Sequence, residues 1–276
     1  ERIAWLGGLS GLLLNQGYDY DIYTTRDPVR GEGNGLGAWP VDVLSGYTTI
    51  LYSAGVQDTF TIVALDPTRN WSSDTAVLES WLGLPGRTLL LMGDNLASAL
   101  WHDPAPGSQL FLQDVMEVDW MARDVAQAID NQVYVDVEPV LGDPVFTGAY
   151  WGIQGGCPGA NTFDHIQASP SAWRSAQFLA PGGAPDMYGA AAAVTAPYDE
   201  VPSGSTIITV PYGLASFQVA GVPGQAGDKS HIPTGVPSFL AHVLDYAGHP
   251  ISNVPEASYD LSLAAWPNPF NPRTEI

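Results

Sequence analysis

The segment Arg87-Thr-Leu-Leu-Leu-Met-Gly-Asp-Asn-Leu-Ala-Ser-Ala-Leu100 leaves few folds open to this chain. Its continuous apolar run, Leu89 to Met92, is the pattern of a strand buried on both faces. The run breaks at Gly93 into a segment with helical spacing at Leu96, Ala99 and Leu100. A strand, a tight turn and a helix follow, and in an open α/β sheet the turn at the carboxyl end of a central strand is where ligands and nucleophiles sit. Here that turn offers Gly93, Asp94 and Asn95, with neither Ser nor Cys at its tip. Asp94 and Asn95 are therefore candidate binding residues.

The surrounding sequence repeats this alternation. Ile3, Leu6, Leu9, Leu12, Leu13 and Leu14 predict a helix over 1–16 with Gly17 at its end, and Tyr18 to Thr25 reads as a strand. A loop carrying Gly31, Gly33, Gly35 and Gly37 leads to a second strand over 48–55. Ser72, Ser73 and Asp74 then offer capping oxygens to a helix with Val77, Leu78, Trp81 and Leu82 on its inner face, ended near Pro85 and Gly86. Phe111, Val115, Val118, Ala122, Val125 and Ile129 form a single helical stripe, so a long helix is expected over 108–129. A strand over 132–140, an irregular Gly/Pro-rich stretch to Tyr188, and a hairpin-like pair over 189–195 and 205–211 come next. Phe239, Leu240, Val243, Leu244 and Ala247 mark a last helix stopped at Gly248. The expected fold is α/β, a three-layer, mostly parallel sheet with an antiparallel β extension. Residues 1–248 would form this domain. Residues 249–276 read as a linker and one strand, Tyr259 to Leu263.

The 276 residues, 45% of them hydrophobic, suffice for a sizeable core. With 29 Asp and Glu against 9 Lys and Arg, Lys229 being the single lysine, the formal net charge is −20. That field repels phosphate backbones, so nucleic acid is not an expected partner. No apolar run approaches the roughly 20 residues that span a bilayer. Few charged residues together with many Gly, Pro and Trp suit a secreted or cell-surface protein. One cysteine, Cys157, rules out an internal disulfide and a multi-cysteine zinc site. The chain opens on Glu1 within a helix-like pattern, which reads as a processed part of a longer product.

Two resemblances add expectations. Trp266-Pro-Asn-Pro-Phe-Asn-Pro272, followed by Arg-Thr-Glu-Ile, resembles the opening of the Ig-like C-terminal domain of secreted bacterial proteins, of the hook-capping and type IX sorting kinds. It implies export. The segment 18–248 resembles the glutamine-amidotransferase-like, flavodoxin-like domain found within large secreted bacterial proteins. The residues that carry this resemblance are Tyr18 to Tyr23, Ile50 to Gly55, Leu89 to Asn95, Gly156-Cys-Pro158 with Phe163 and Asp164, and Val210 to Ala215. It implies a flavodoxin-like sheet, and its first strand would precede Glu1.

An active amidotransferase needs Cys in a Gly-x-Cys-x-Gly elbow with His and Glu later, since a thiolate requires a base and two oxyanion donors. Gly155-Gly-Cys-Pro-Gly159 has those letters, but Pro158 lacks the N–H that the oxyanion would need. Cys157 with His165 as base is thus the minor, hydrolase reading. His102, His165, His231, His242 and His249 show neither a His-x-Glu pair nor helical zinc spacing, and Gly-x-Ser-x-Gly does not occur. No cofactor is expected. Ca2+ is the ion that Asp19, Asp21 and Asp27, or Asp136, Glu138 and Asp143, would hold, but neither cluster has EF-hand spacing and solvated acidic loops are the better reading. Tyr150, Trp151, Phe163 and Trp173 give either a carbohydrate-binding surface, with Trp151 and Trp173 as its contacts, or plugs that fix a long loop to the core. The expected role is a non-catalytic structural or interaction module whose partners are proteins or neighbouring subunits of one assembly.

Overall fold

A computed structural model describes residues 19–21, 44–54, 62, 74–123, 134–146, 151–154, 163–179, 185–195, 204–213, 217–218 and 235–248. At its centre lies the strand anticipated from Leu89 to Met92, β2 (Thr88–Met92), buried along its whole length. It pairs in parallel with β1 (Thr49–Ser53) on one side and β9 (Thr206–Val210) on the other. Alternation along β2 divides the core. Leu90 and Met92 join Ile208, Val210, Phe239, Leu240 and Val243, while Leu89 and Leu91 join Leu78, Trp81, Leu82, Leu96, Leu100 and Phe111. The first set is covered by the last helix, α4 (Gly235–Tyr246), and the second by α1 (Asp74–Leu82) and α2 (Leu96–His102). A strand with apolar side chains on both faces can be stable only when both are covered, which is why Thr88–Met92 lacks polar alternation.

Beyond β9 the sheet continues as β8 (Pro185–Thr195), β7 (Trp173–Leu179), β4 (Tyr134–Pro139), β5 (Trp151–Gln154) and β10 (Phe217–Gln218), with β6 (His165–Ala168) beside β8 and β3 (Val118–Ala122) beside β6. All of these pairings are antiparallel. The mixed α/β class stands. The mostly parallel sheet does not describe these residues, where parallel pairing is confined to β1, β2 and β9. Chain order explains part of the difference: β4 and β5, and likewise β8 and β9, are consecutive strands that pair directly, without the crossover helix that a parallel pair needs.

Several local expectations agree with the structure. These are the strand at 49–53, the helix at 74–82 with Gly86 in the left-handed region after it (φ 68), the β8–β9 hairpin-like pair, and the last helix closed by Gly248 (φ 80). Two are corrected. The predicted helix over 108–129 ends early: α3 (Pro106–Leu110) runs into a π-helical turn (Phe111–Val115), Glu117 adopts φ 51, and Val118–Ala122 is a strand pairing with β6. The stretch read as irregular contains β5, β6 and β7. The predicted helix over 1–16 and the tail strand lie outside the described residues, as does most of the strand at 18–25. Asp19 to Asp21 are described but form no strand. Among the described residues no helix is long and apolar enough to cross a membrane.

Candidate functional site

The turn after β2 is held from three sides. The Ala54 N–H donates to the Met92 carbonyl (2.7 Å) and the Gly93 N–H to the Val210 carbonyl (3.3 Å), which fixes the ends of β1, β2 and β9 together. Asp94 then turns inward, with Oδ1 accepting from the Gly213 N–H at 2.7 Å. Its carbonyl accepts from the Asp164 N–H at 3.0 Å. The Asp164 carboxylate in turn accepts from the Ser98 N–H (Oδ2, 2.9 Å) and from Trp120 Nε1 (Oδ1, 3.2 Å). Ser98 Oγ donates to the Asn95 carbonyl at 3.1 Å, closing the first turn of α2.

These groups are interior. Asp94 is 1% exposed, Asn95 6%, and Ser98 and Asp164 0%, so Asp94 and Asn95 present no open face to a ligand. Burial pushes the Asp164 carboxyl up to about 6, against the opposing pull of the Ser98 and Trp120 donors and of the Arg123 charge. Outside the cluster, His102 Nδ1 lies 2.8 Å from the Ser98 carbonyl, and its ring meets Trp120 edge-on at 4.7 Å. The arrangement is a hydrogen-bonded brace. Chemically it offers no nucleophile, since the Ser98 hydroxyl is both buried and engaged.

The remaining candidates are scattered. His165 opens β6, opposite Ala122, half-buried, and burial followed by the charge of Arg174 lowers its pKa. Cys157 lies outside the described residues, as does Asp27. Trp151 is corrected as a binding contact: it is 1% exposed, its Nε1 donates to the Tyr212 hydroxyl at 2.8 Å, and it packs against Phe146 and Phe239. Tyr212 is itself fully buried, which holds its hydroxyl well above the ordinary value. Trp173 is half-buried, with Nε1 donating to Asp143 Oδ1 at 3.1 Å, and it lines an open depression of about 370 Å3 with Leu141, Gly142, Pro144 and Arg174.

Asp143 Oδ2 accepts from the Val145 N–H (2.9 Å) and the Phe146 N–H, and Oδ1 from the Ser175 hydroxyl and Trp173. Glu138 takes Gln177 Nε2 at 2.9 Å, and Asp136 stands on β4 opposite Gly152. Asp19 and Asp21 are exposed, Asp21 accepting from the Tyr47 hydroxyl. Among the described residues no group of three His, Cys, Asp or Glu is placed to hold a metal ion. Sequence reasoning did not single out the bracing role of Asp164 or that of Gly213. The usable signal for Gly213 was Pro211-Tyr-Gly213 directly after an apolar strand.

No protein-family model matches this chain, and no curated protein matches it. Among solved structures it is similar to the β-galactosidase from Rahnella sp. R3, at 15% identity and a TM-score of 0.44, over 87% of this chain and 26% of that one. The chain thus spans about a quarter of that protein's length. A likeness this loose assigns neither activity nor ligand.

Proposed function

We propose that this chain is a non-catalytic structural or interaction module of a secreted or cell-surface bacterial protein, built on an amidotransferase-like, flavodoxin-like plan and working through protein partners in an extracellular assembly. One observation carries the reading. At the carboxyl end of β2, where this plan would place a nucleophile, Asp94 is turned inward onto the Gly213 N–H and locked to Asp164, with no exposed reactive atom. A catalytic elbow exposes its nucleophile to substrate and leaves backbone N–H groups free for an oxyanion. Here the corresponding donors and acceptors are used to hold the fold. Export is supported by the Trp266 to Pro272 motif and by the low-lysine, Trp-rich composition.

Iodoacetamide labelling of Cys157 across pH 6 to 9 tests this. The expected rate is that of an ordinary or shielded thiol, climbing with pH toward a pKa of about 8.5 or above. Rapid labelling already near pH 6, slowed by His165→Ala, would instead establish the cysteine hydrolase.

A further inference from the structure

The depression beside Trp173 is held firmly by the turn beneath it. Its floor is the turn that follows β4 and lies beside β7, where Gly142 takes φ 84 and Leu141 stands fully exposed at the tip. Beneath it the buried Asp143 spends both carboxylate oxygens on the turn and on β7, accepting from Val145, Phe146, Ser175 and Trp173. Val140 and Asp143 add backbone hydrogen bonds, to the Ser175 carbonyl at 2.9 Å and the Val140 carbonyl at 3.0 Å. The Trp173 ring is thereby fixed while one part of it remains open. Beside it is Arg174, one of only nine Lys and Arg residues in a chain of net charge −20. Among the described residues its guanidinium makes no hydrogen bond or ion pair.

An oriented Trp ring and an Arg without a hydrogen bond or ion pair among the described residues are the residue types that anchor protein interfaces, and the exposed Leu141 adds apolar area beside them. They are effective because a rigid anchor loses little entropy on binding. We propose that the Leu141–Trp173–Arg174 surface is the docking site for a protein partner that presents an apolar side chain beside a carboxylate. This rests on the interaction-module reading and names its surface. The apolar side chain sits against Leu141, Pro144 and the open part of Trp173, and the carboxylate takes Arg174 in a charge-assisted pair. A sugar fits less well. Its hydroxyls need several partners, while apart from Arg174 the lining side chains are apolar or, like Asp143, already saturated. A second copy of the chain fits less well too, because two molecules of charge −20 repel.

The test selects a phage-displayed random heptapeptide library on the full chain and measures the enriched peptides against Arg174→Gln and Leu141→Ser. Enrichment of Leu, Phe or Trp next to Asp or Glu is expected, with affinity reduced about tenfold or more by either substitution. Chemical shifts of the Trp173 indole N–H should move on binding. Absence of enrichment, basic peptides, or peptides that bind both variants like the parent would overturn the proposal. So would a trimer of galacturonate moving the Trp173 indole signal where the peptides do not. Cys157 labelling on the same sample separates the two readings. A slow thiol without peptide binding removes this surface alone, whereas a fast thiol removes the module reading whatever the peptides do.

Discussion

Asp94 shows how one side chain can occupy a site's usual position and serve the fold instead. Its Oδ1 is the acceptor for the buried Gly213 N–H, and removing it leaves that donor without a partner in a region closed to water. Asp94→Ala is therefore expected to cost about 2 kcal/mol or more in urea unfolding, with Asp94→Asn, which keeps an acceptor oxygen, costing well under that. Equal midpoints for Asp94→Ala and the parent would mean that the contact holds nothing. That Gly93, Asp94 and Asn95 form a turn between a strand and a helix was legible from spacing. That Asp94 faces inward was not, because its partner lies 119 residues on and no local pattern records so distant an N–H. The burial of Trp151 was not legible for the same reason, since the Tyr212 hydroxyl it donates to and the Phe146 and Phe239 rings it packs on come from elsewhere in the chain.

At the scale of elements, Asp164 joins three of them: the turn after β2 through its N–H, α2 through Ser98, and β3 through Trp120. The charged or titratable neighbours around it are Asp94 on the turn, His102 on α2 against Ser98 and Trp120, Arg123 after β3, and His165 next along the chain. Burial raises the Asp164 pKa from 3.8 to about 6, so the folded chain holds this proton more tightly than the unfolded one. The stabilisation is then fully present below pH 3.8 and is lost as pH rises through about 6. Relative to Asp164→Asn, the parent should gain up to about 3 kcal/mol on acidification from pH 7 to 4, read from paired denaturant titrations. A pH-independent difference would show that the carboxyl titrates normally. The same region explains the misplaced helix. Phe111 to Ile129 keeps a helical stripe in letters, but Val118 to Ala122 gains a ladder with β6 that a helix would forfeit, and Glu117 at φ 51 makes the break.

For the whole molecule, a net charge of −20 with nine basic residues means self-repulsion in the folded state. Raising NaCl from about 20 to about 200 mM shortens the Debye length from roughly 20 Å to 7 Å and should raise Tm by a few degrees, measured by calorimetry. A fall in Tm would point to attractive pairs outweighing the repulsion. By itself the sequence determined the mixed α/β class, the buried central strand at Thr88 to Met92, the helices at 74–82 and 235–246, and the strong acidity of the chain. Each of these depends on local periodicity, capping or composition. Only the tertiary structure decided which strands run antiparallel, that Trp151 belongs to the core, and that Asp94, Asp164 and Gly213 close the turn after β2. Those outcomes depend on contacts between residues far apart in the chain, and burial rather than residue type sets their chemistry.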